Sequence, residues 1–475
     1  MFSLPPAAHI HLIAICGTAM GSLAGMLRER GYRVTGSDTH VYPPMSTFLA
    51  EQGIEVQAGF DPARLDPAPD LVVVGNAVSR GNPEVEAMLD RQLPYASLPE
   101  VLRDLFLRGK RPVVVTGTHG KTTTTAMVAH LLTEGGLDPS FLVAGLPRNF
   151  PRSFALGNGE FFAVEGDEYD SAFFAKWAKF FYYLPEVLIV NNIEFDHADI
   201  YENLAAIEKA FRQVINLVPG RGVVLAGSAD PVLARLLPLA PAPVQTFGLE
   251  AGAHWLATEL RGGPEGQEFT LRRQGEDLGR FFLPLTGEYN VRNALAALAV
   301  GLRAGAPVEG LRGALRTFSG VRRRQERLGA VGGITLIDDF AHHPTAVGQT
   351  LQGLRQAYPE AGLWAVFEPA SASNARAVFE AQYLQAFAPA DQVVIGKVPR
   401  PDRARGGEPF SGERLVAGLR AQGKGAWHLP EVDAILAHLE AQVRPGDVVV
   451  FMSNGGFGGV QGRFLAALKG RYGTA

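Results

Sequence analysis

Cys16 is the only cysteine in 475 residues, so the chain has neither an intrachain disulfide nor a thiolate set for zinc. No apolar run reaches the roughly 18 residues that a membrane-spanning helix needs. Charge is also scarce: charged residues make up 19% of the chain, and 44 basic against 48 acidic residues leave a net charge of −4. There is therefore no global positive field to attract nucleic acid or an anionic membrane. Only 8 of the basic residues are lysine, which makes each lysine easier to weigh. The first eight residues carry no Lys or Arg and lead straight into a strand-like run, so no signal peptide is expected and the expected location is cytoplasmic. What the chain does have is apolar mass, 47% of its residues, enough for sizeable cores. At roughly 150 residues per domain its length predicts about three domains.

Short apolar runs alternate with helical patterns throughout, which defines an α/β chain. Residues 9–16, 71–75, 112–116, 161–165 and 187–191 read as buried parallel strands, as do 334–338, 363–367, 392–396 and 447–452. Residues 220–290 are punctuated by Gly and Pro and predict hairpins. Pattern breaks near 105–112 and 318–333 suggest division into 1–108, 109–320 and 321–475.

The run Thr116-Gly117-Thr118-His119-Gly120-Lys121-Thr122-Thr123 follows one of these strands and opens a helix. That is the setting of a phosphate-binding loop: glycines let backbone N–H groups converge on phosphate oxygens, and the helix N-terminus adds a favourable dipole. Lys121 would neutralise the β- and γ-phosphates, and the Thr122 hydroxyl can ligate Mg²⁺. Val115 stands where the GxxxxGK[ST] pattern has its first glycine. Next, Phe161-Phe162-Ala163-Val164-Glu165-Gly166-Asp167-Glu168-Tyr169-Asp170 empties an apolar strand into carboxylates. This suits a hard cation, with Glu165 at the strand end as the leading ligand. In Asn191-Asn192-Ile193-Glu194-Phe195-Asp196-His197-Ala198-Asp199, His197 could take a second metal, position a nucleophile or simply hydrogen-bond within a loop.

At the N-terminus, Cys16-Gly17-Thr18-Ala19-Met20-Gly21 opens a helix after a strand, and Ser37-Asp38 ends the next one. Ile15 and Met20 break the GxGxxG pattern, so the junction fits a nucleotide diphosphate better than a dinucleotide. Gly287-Glu288-Tyr289-Asn290-Val291-Arg292-Asn293 leads into a helix that Asn would cap. Arg322-Arg323-Arg324 makes a poor nucleic-acid patch in an acidic chain and reads as a phosphate contact or a solvated surface. Asp338-Asp339-Phe340-Ala341-His342-His343-Pro344-Thr345 mixes carboxylates and imidazoles after a strand. A metal site, acid–base chemistry and nucleotide positioning are all open there.

In this order, TGTHGKTTT, VEGDEYD, NNIEFDHAD, GEYNVRNALAA, RRRQE and DDFAHHPT resemble the motifs of the ATP-dependent Mur ligase family, across essentially the whole chain. The resemblance implies a three-domain architecture. An N-terminal Rossmann-like domain takes the UDP-substrate, a central P-loop ATPase domain takes ATP, and a C-terminal Rossmann-like domain admits the incoming amine. The implied chemistry is amide formation on UDP-N-acetylmuramate through an acyl phosphate, using ATP and Mg²⁺. It implies ATP contacts at Gly117, Thr118, His119, Gly120, Lys121, Thr122 and Thr123, a first metal on Thr122 and Glu165, and a second on His197 with Glu165 bridging. It also places Asn293 on adenine, Arg324 and Asp339 on the nucleotide, and His343 beside the nucleotide or acyl phosphate. For the UDP moiety the expected residues are Gly17, Thr18, Ser37, Asp38 and Asn76. Lys121, Glu165, His197 and His343 form the expected catalytic set, and closure on ATP is implied because these groups come from separate domains.

DDFAHHPT is shared by two branches of the family, one adding L-alanine and one adding a recycled murein peptide. Gly17-Thr18-Ala19-Met20-Gly21, the stretch Gly36-Ser37-Asp38 with Val41-Tyr42-Pro43-Pro44-Met45-Ser46-Thr47, and Met452-Ser453-Asn454-Gly455-Gly456-Phe457-Gly458-Gly459 resemble the peptide-adding branch. Its nucleophile is L-alanyl-γ-D-glutamyl-meso-diaminopimelate, which implies a place in peptidoglycan recycling. Ala370 replaces the Arg usual in that branch's EPRS motif, with Arg376 nearby, so another diamino acid such as lysine or ornithine is open at the third position. The alternatives are an L-alanine-adding ligase, a nucleotide-binding switch without chemistry, and a nicotinamide-dependent oxidoreductase resting on the N-terminal glycines. No nucleic-acid or membrane partner is expected.

Overall fold

The computed structural model describes residues 4–43, 45–196, 200–370, 377–398 and 408–473. The chain forms two compact units, both of parallel sheet and helix. Among the described residues no helix is long and apolar enough to cross a membrane.

The first unit comprises the chain up to Ile193 with Ala205–Ala253 and Ala296–Ala314. It opens with β1 (His9–Ile13), β2 (Arg33–Asp38), β3 (Val56–Ala58), β4 (Leu71–Val74) and β5 (Tyr95–Ser97), all parallel, in the order β3-β2-β1-β4-β5. All four residues of β4 are fully buried, as a strand covered on both faces must be. The order reverses at β1, and the helix Thr18–Glu29 starts at this switch point, where open α/β sheets receive ligands.

The unit continues with β6 (Arg111–Thr116), β7 (Ser140–Leu142), β8 (Phe154–Ala155), β9 (Phe161–Glu165), the hairpin β10 (Asp170–Ala172) and β11 (Ala175–Ala178), then β12 (Val187–Val190), β13 (Val223–Gly227) and β14 (Val244–Gly248). The sheet order is β14-β13-β12-β6-β9-β7-β8, parallel except for β8. In register, Val115 faces Glu165 across β9 and Thr116 faces Val190 across β12. Phe173 and Phe174, between β10 and β11, pack on the core of the first sheet, where the Phe174 and Tyr95 rings stand 4.9 Å apart.

The hairpins expected over 220–290 form only in its second half. Val223–Gly227 is buried throughout and pairs in parallel on both sides. The turn residues after it serve a helix instead, with Asp230 accepting from the Val232 and Leu233 N–H groups to cap Pro231–Leu236.

The second unit comprises Glu194–Leu204, His254–Leu295 and Leu315–Ala475. It holds the antiparallel meander β15 (Trp255–Gly263), β16 (Gly266–Arg273) and β17 (Glu276–Leu283). It also holds a six-stranded sheet of β18 (Glu326–Val331), β19 (Ile334–Asp339), β20 (Leu363–Phe367), β21 (Gln392–Ile395), β22 (Gly425–His428) and β23 (Val448–Met452). Its order is β18-β19-β23-β20-β21-β22, parallel except for edge strand β18. The period of two is visible in β23: Val448, Val450 and Met452 enter one core cluster, Val449 and Phe451 the other.

Candidate active site

The loop after β6 is shaped by close approach. At Gly117 φ is +121°, and an added Cβ would lie 3.0 Å from the backbone of Asn191 and Asn192, which follow β12. Only glycine avoids both the dihedral strain and the collision. Asn192 then ties the loop down: its carbonyl accepts from the Thr118 N–H at 3.0 Å and its Oδ1 from the His119 N–H at 2.8 Å. Asn191 Nδ2 donates to the His119 carbonyl and the Thr124 hydroxyl. Gly120, at φ +82°, caps the helix Lys121–Glu134 without offering a side chain.

Lys121 Nζ donates to the Gly117 carbonyl at 2.6 Å, the Thr118 carbonyl at 3.3 Å and both oxygens of Glu168 at 3.0 and 3.2 Å. Burial would lower its pKa, but Glu168, Glu165 and Asp167 outweigh burial and leave it raised, so the ammonium is charged. Thr122 Oγ1 donates to Glu165 Oε1 at 2.9 Å, and Glu165 Oε2 accepts from the Ala144 N–H at 3.1 Å. A hydroxyl and a carboxylate oxygen in contact beside a phosphate loop fit Mg²⁺, a hard cation that prefers oxygen. Asp167 is committed elsewhere, to Lys179 at 2.8 Å.

The UDP-binding set splits in two. Gly17, Thr18 and Asn76 are exposed beyond the ends of β1 and β4. Asp38 is buried and ties the loops together, accepting from the Cys16 and His40 N–H groups, each at 2.9 Å. Burial, reinforced by Asp38, pushes the Cys16 thiol up to about 11. Ser37 is fully buried, and its hydroxyl donates inward to Glu84, a fully buried carboxylate that also accepts from the Asp61 N–H at 3.0 Å. Its carbonyl accepts from the Ala14 and Ile15 N–H groups, so Ser37 shapes the loop from beneath it.

In the second unit Asp339 is buried and accepts from the Gln325 N–H at 2.7 Å and the Ala341 N–H at 2.6 Å. Burial raises its pKa to about 6 against the opposing pull of Arg324 and those N–H groups. The Arg324 guanidinium stacks on Phe340, 4.6 Å from the ring centroid. Asn293 is buried and donates to Asn290 at 3.2 Å, and Asn290 donates in turn to Gln325 Oε1 at 3.3 Å. Gln325 therefore joins the Asn293 network to Asp339. Its place in the RRRQE run does not by itself mark that role, and its φ of +50° is unusual for a non-glycine residue. His343 is buried as the N-cap of Pro344–Ala357, with Nδ1 3.6 Å from Glu194 Oε2, which accepts from Thr345 Oγ1 at 2.6 Å. Glu194 is a second residue whose part is visible only in the folded chain. Beyond β20, Glu368 is buried and accepts from Ser453 Oγ at 2.5 Å, and Ala370 Cβ would lie 3.4 Å from a Cβ added at Gly455. His197, Ser371 and Arg376 lie outside the described residues.

The first unit thus gathers Gly117, Thr118, His119, Gly120, Lys121, Thr122 and Glu165 at one loop, and the second gathers Asn293, Arg324 and Asp339. A lysine-bearing phosphate loop beside a Thr–carboxylate pair marks an enzyme that uses a nucleoside triphosphate with a divalent cation. Residues 9–110 match the model "Mur ligase family, catalytic domain", 115–301 the "Mur ligase middle domain" and 323–455 the "Mur ligase, glutamate ligase domain". The chain belongs to the Mur ligase family, whose members are amide-forming ligases that use ATP and Mg²⁺. It is 40% identical over 460 residues, 97% of this chain and 98% of the relative, to the UDP-N-acetylmuramate–L-alanyl-γ-D-glutamyl-meso-2,6-diaminoheptandioate ligase of Escherichia coli K12. Among solved structures it resembles a murein peptide ligase of Psychrobacter arcticus, with 36% identity, TM-score 0.72 and coverage of 98% and 99% of the two chains. It also resembles the UDP-N-acetylmuramate–alanine ligase of Thermotoga maritima, with 25% identity, TM-score 0.80 and coverage of 98% and 100%.

Proposed function

We propose that this chain is a murein peptide ligase, joining a recycled cell-wall tripeptide to UDP-N-acetylmuramate at the expense of ATP in the cytoplasm. The observation that carries the choice is sequence identity over nearly the full length. Fold likeness is no lower for the alanine ligase, with a TM-score of 0.80 against 0.72, whereas identity over nearly the full chain favours the peptide ligase, 40% for the Escherichia coli enzyme against 34% to 36% for alanine-adding ligases.

The chemistry follows from what a carboxylate lacks, a leaving group. The γ-phosphoryl of ATP passes to the lactyl carboxylate of UDP-N-acetylmuramate, giving an acyl phosphate and ADP. The peptide's terminal amine then attacks the acyl carbon, phosphate departs, and the amine gives up its proton. No covalent bond to the enzyme is required, so the residues act by placement and charge. Lys121 draws the phosphates onto the loop, and the N–H groups at the start of Lys121–Glu134 meet their oxygens. Thr122 and Glu165 would hold Mg²⁺, which neutralises phosphate charge, and His197 is proposed for a second ion.

Asn293 is assigned to adenine, Arg324 and Asp339 to the nucleotide, and His343 to the nucleotide or acyl phosphate. Gly17, Thr18 and Asn76 are assigned to the UDP moiety, with Asp38 and Ser37 holding their loop. The proposed division of labour is UDP-substrate on 1–108, ATP on 109–320 and peptide on 321–475.

The test is phosphate release with ATP, UDP-N-acetylmuramate and one amine at a time. L-Alanyl-γ-D-glutamyl peptides ending in meso-diaminopimelate, lysine or ornithine should support turnover, and the best of the three identifies what Ala370 admits. Turnover with L-alanine alone and none with the peptides would reassign the chain to the alanine-adding branch.

A further inference from the structure

All three donors of Lys121 are taken by groups of the protein itself. An ammonium has three N–H donors, and here they serve the Gly117 carbonyl, the Thr118 carbonyl and the Glu168 carboxylate. Glu168 is 3% exposed and takes Nζ with both oxygens. Neither partner is solvated enough for this to be a weakly coupled surface pair, since the side chains are 13% and 3% exposed. The other charges around the ammonium are not equivalent to Glu168. Glu165 is held by Thr122 and the Ala144 N–H, and Asp167 pairs with Lys179.

We propose that Glu168 is an internal anion occupying the place on Lys121 that a nucleotide phosphate must take. A carboxylate and a phosphate cannot both sit against one ammonium without repelling each other. Nucleotide binding therefore exchanges the Glu168 contact for phosphate contacts, and the free energy of the broken pair is subtracted from affinity. The arrangement keeps the lysine folded onto its loop while no nucleotide is bound. This inference rests on the reading of residues 117–123 as the nucleotide site and names a competitor built into it.

Calorimetric titration of Glu168→Gln with ADP and with a non-hydrolysable ATP analogue, both with Mg²⁺, tests this. The amide keeps the shape and removes the charge, so Kd should fall about tenfold, the difference between a charge-assisted and a neutral hydrogen bond. If Glu168→Gln fails to give a cooperative melting transition, Glu168→Ala, which also removes the charge, carries the same expectation. An unchanged or higher Kd overturns the inference, a higher one making Glu168 a support for Lys121 rather than its competitor. Lys121→Ala keeps the two readings apart. If it binds the analogue as tightly as the unaltered chain, the loop is not the nucleotide site at all.

Discussion

The first unit contains two strand–turn–helix junctions, and they solve the same problem with different chemistry. Both end a parallel strand at a glycine that opens a helix. After β1, Gly17 enters Thr18–Glu29 in extended geometry, φ −65° and ψ 142°, and an added Cβ there would meet nothing within 4 Å. After β6, Gly117 and Gly120 both have positive φ, and Gly117 is pressed against the neighbouring strand's extension. The first loop is steadied by a carboxylate, Asp38, and brings no cation. The second is steadied by an asparagine carbonyl and amide and brings Lys121. A loop that must grip a transferable triphosphate needs concentrated positive charge and a fixed backbone. A loop that only anchors a diphosphate, the part proposed for the first, can work with backbone N–H groups and a looser frame.

Substitutions can break the comparison. The largest effect is expected at Lys121. Lys121→Ala should lower kcat on the order of 10³-fold and also lower the melting temperature, because it leaves the buried Glu168 carboxylate without its partner; no lysine in the first loop exists to play the same part. Gly117→Ala comes next. It combines strain of about 1–3 kcal/mol with displacement of the loop, so turnover should fall about 10²-fold and the melting temperature should drop. Gly17→Ala should leave stability unaltered and raise only the KM for UDP-N-acetylmuramate. Equal damage from the two glycine substitutions would mean that the loops are not built differently.

The smallest effect concerns Cys16. With its thiol pushed up to about 11, the thiolate fraction at pH 8 is about a hundredfold below that of an ordinary cysteine, and iodoacetamide should react correspondingly slowly. Asp38→Asn removes the nearby negative charge and should speed the reaction, while raising the UDP-substrate KM modestly. An unchanged alkylation rate would show that burial alone controls this loop's electrostatics.

Much of the fold is legible along the chain because buried parallel strands are continuous apolar runs. Those at 71–75 and 161–165 stand out by their composition alone, and the residues at their ends are candidate site residues. Residues 220–250 mislead because Gly and Pro punctuate a strand–helix junction as readily as a hairpin. Only the burial of Val223–Gly227 on both faces separates the two. The motifs contain Glu168, Glu194 and Gln325, but spacing cannot tell which of four clustered carboxylates turns back onto Lys121. Ser37 shows the converse: its position at a strand end suggests a ligand contact, yet alternation along β2 turns its hydroxyl inward to Glu84.

The register of β6 between β9 and β12 has a consequence for biosynthesis. The phosphate loop is complete as a sequence at Thr123, yet its N–H groups are held by Asn192 and its Thr122 hydroxyl by Glu165. A ribosome must therefore deliver the chain past Asn192 before the loop has a shape. Until then a nascent chain carries the nucleotide motif without the means to grip a nucleotide.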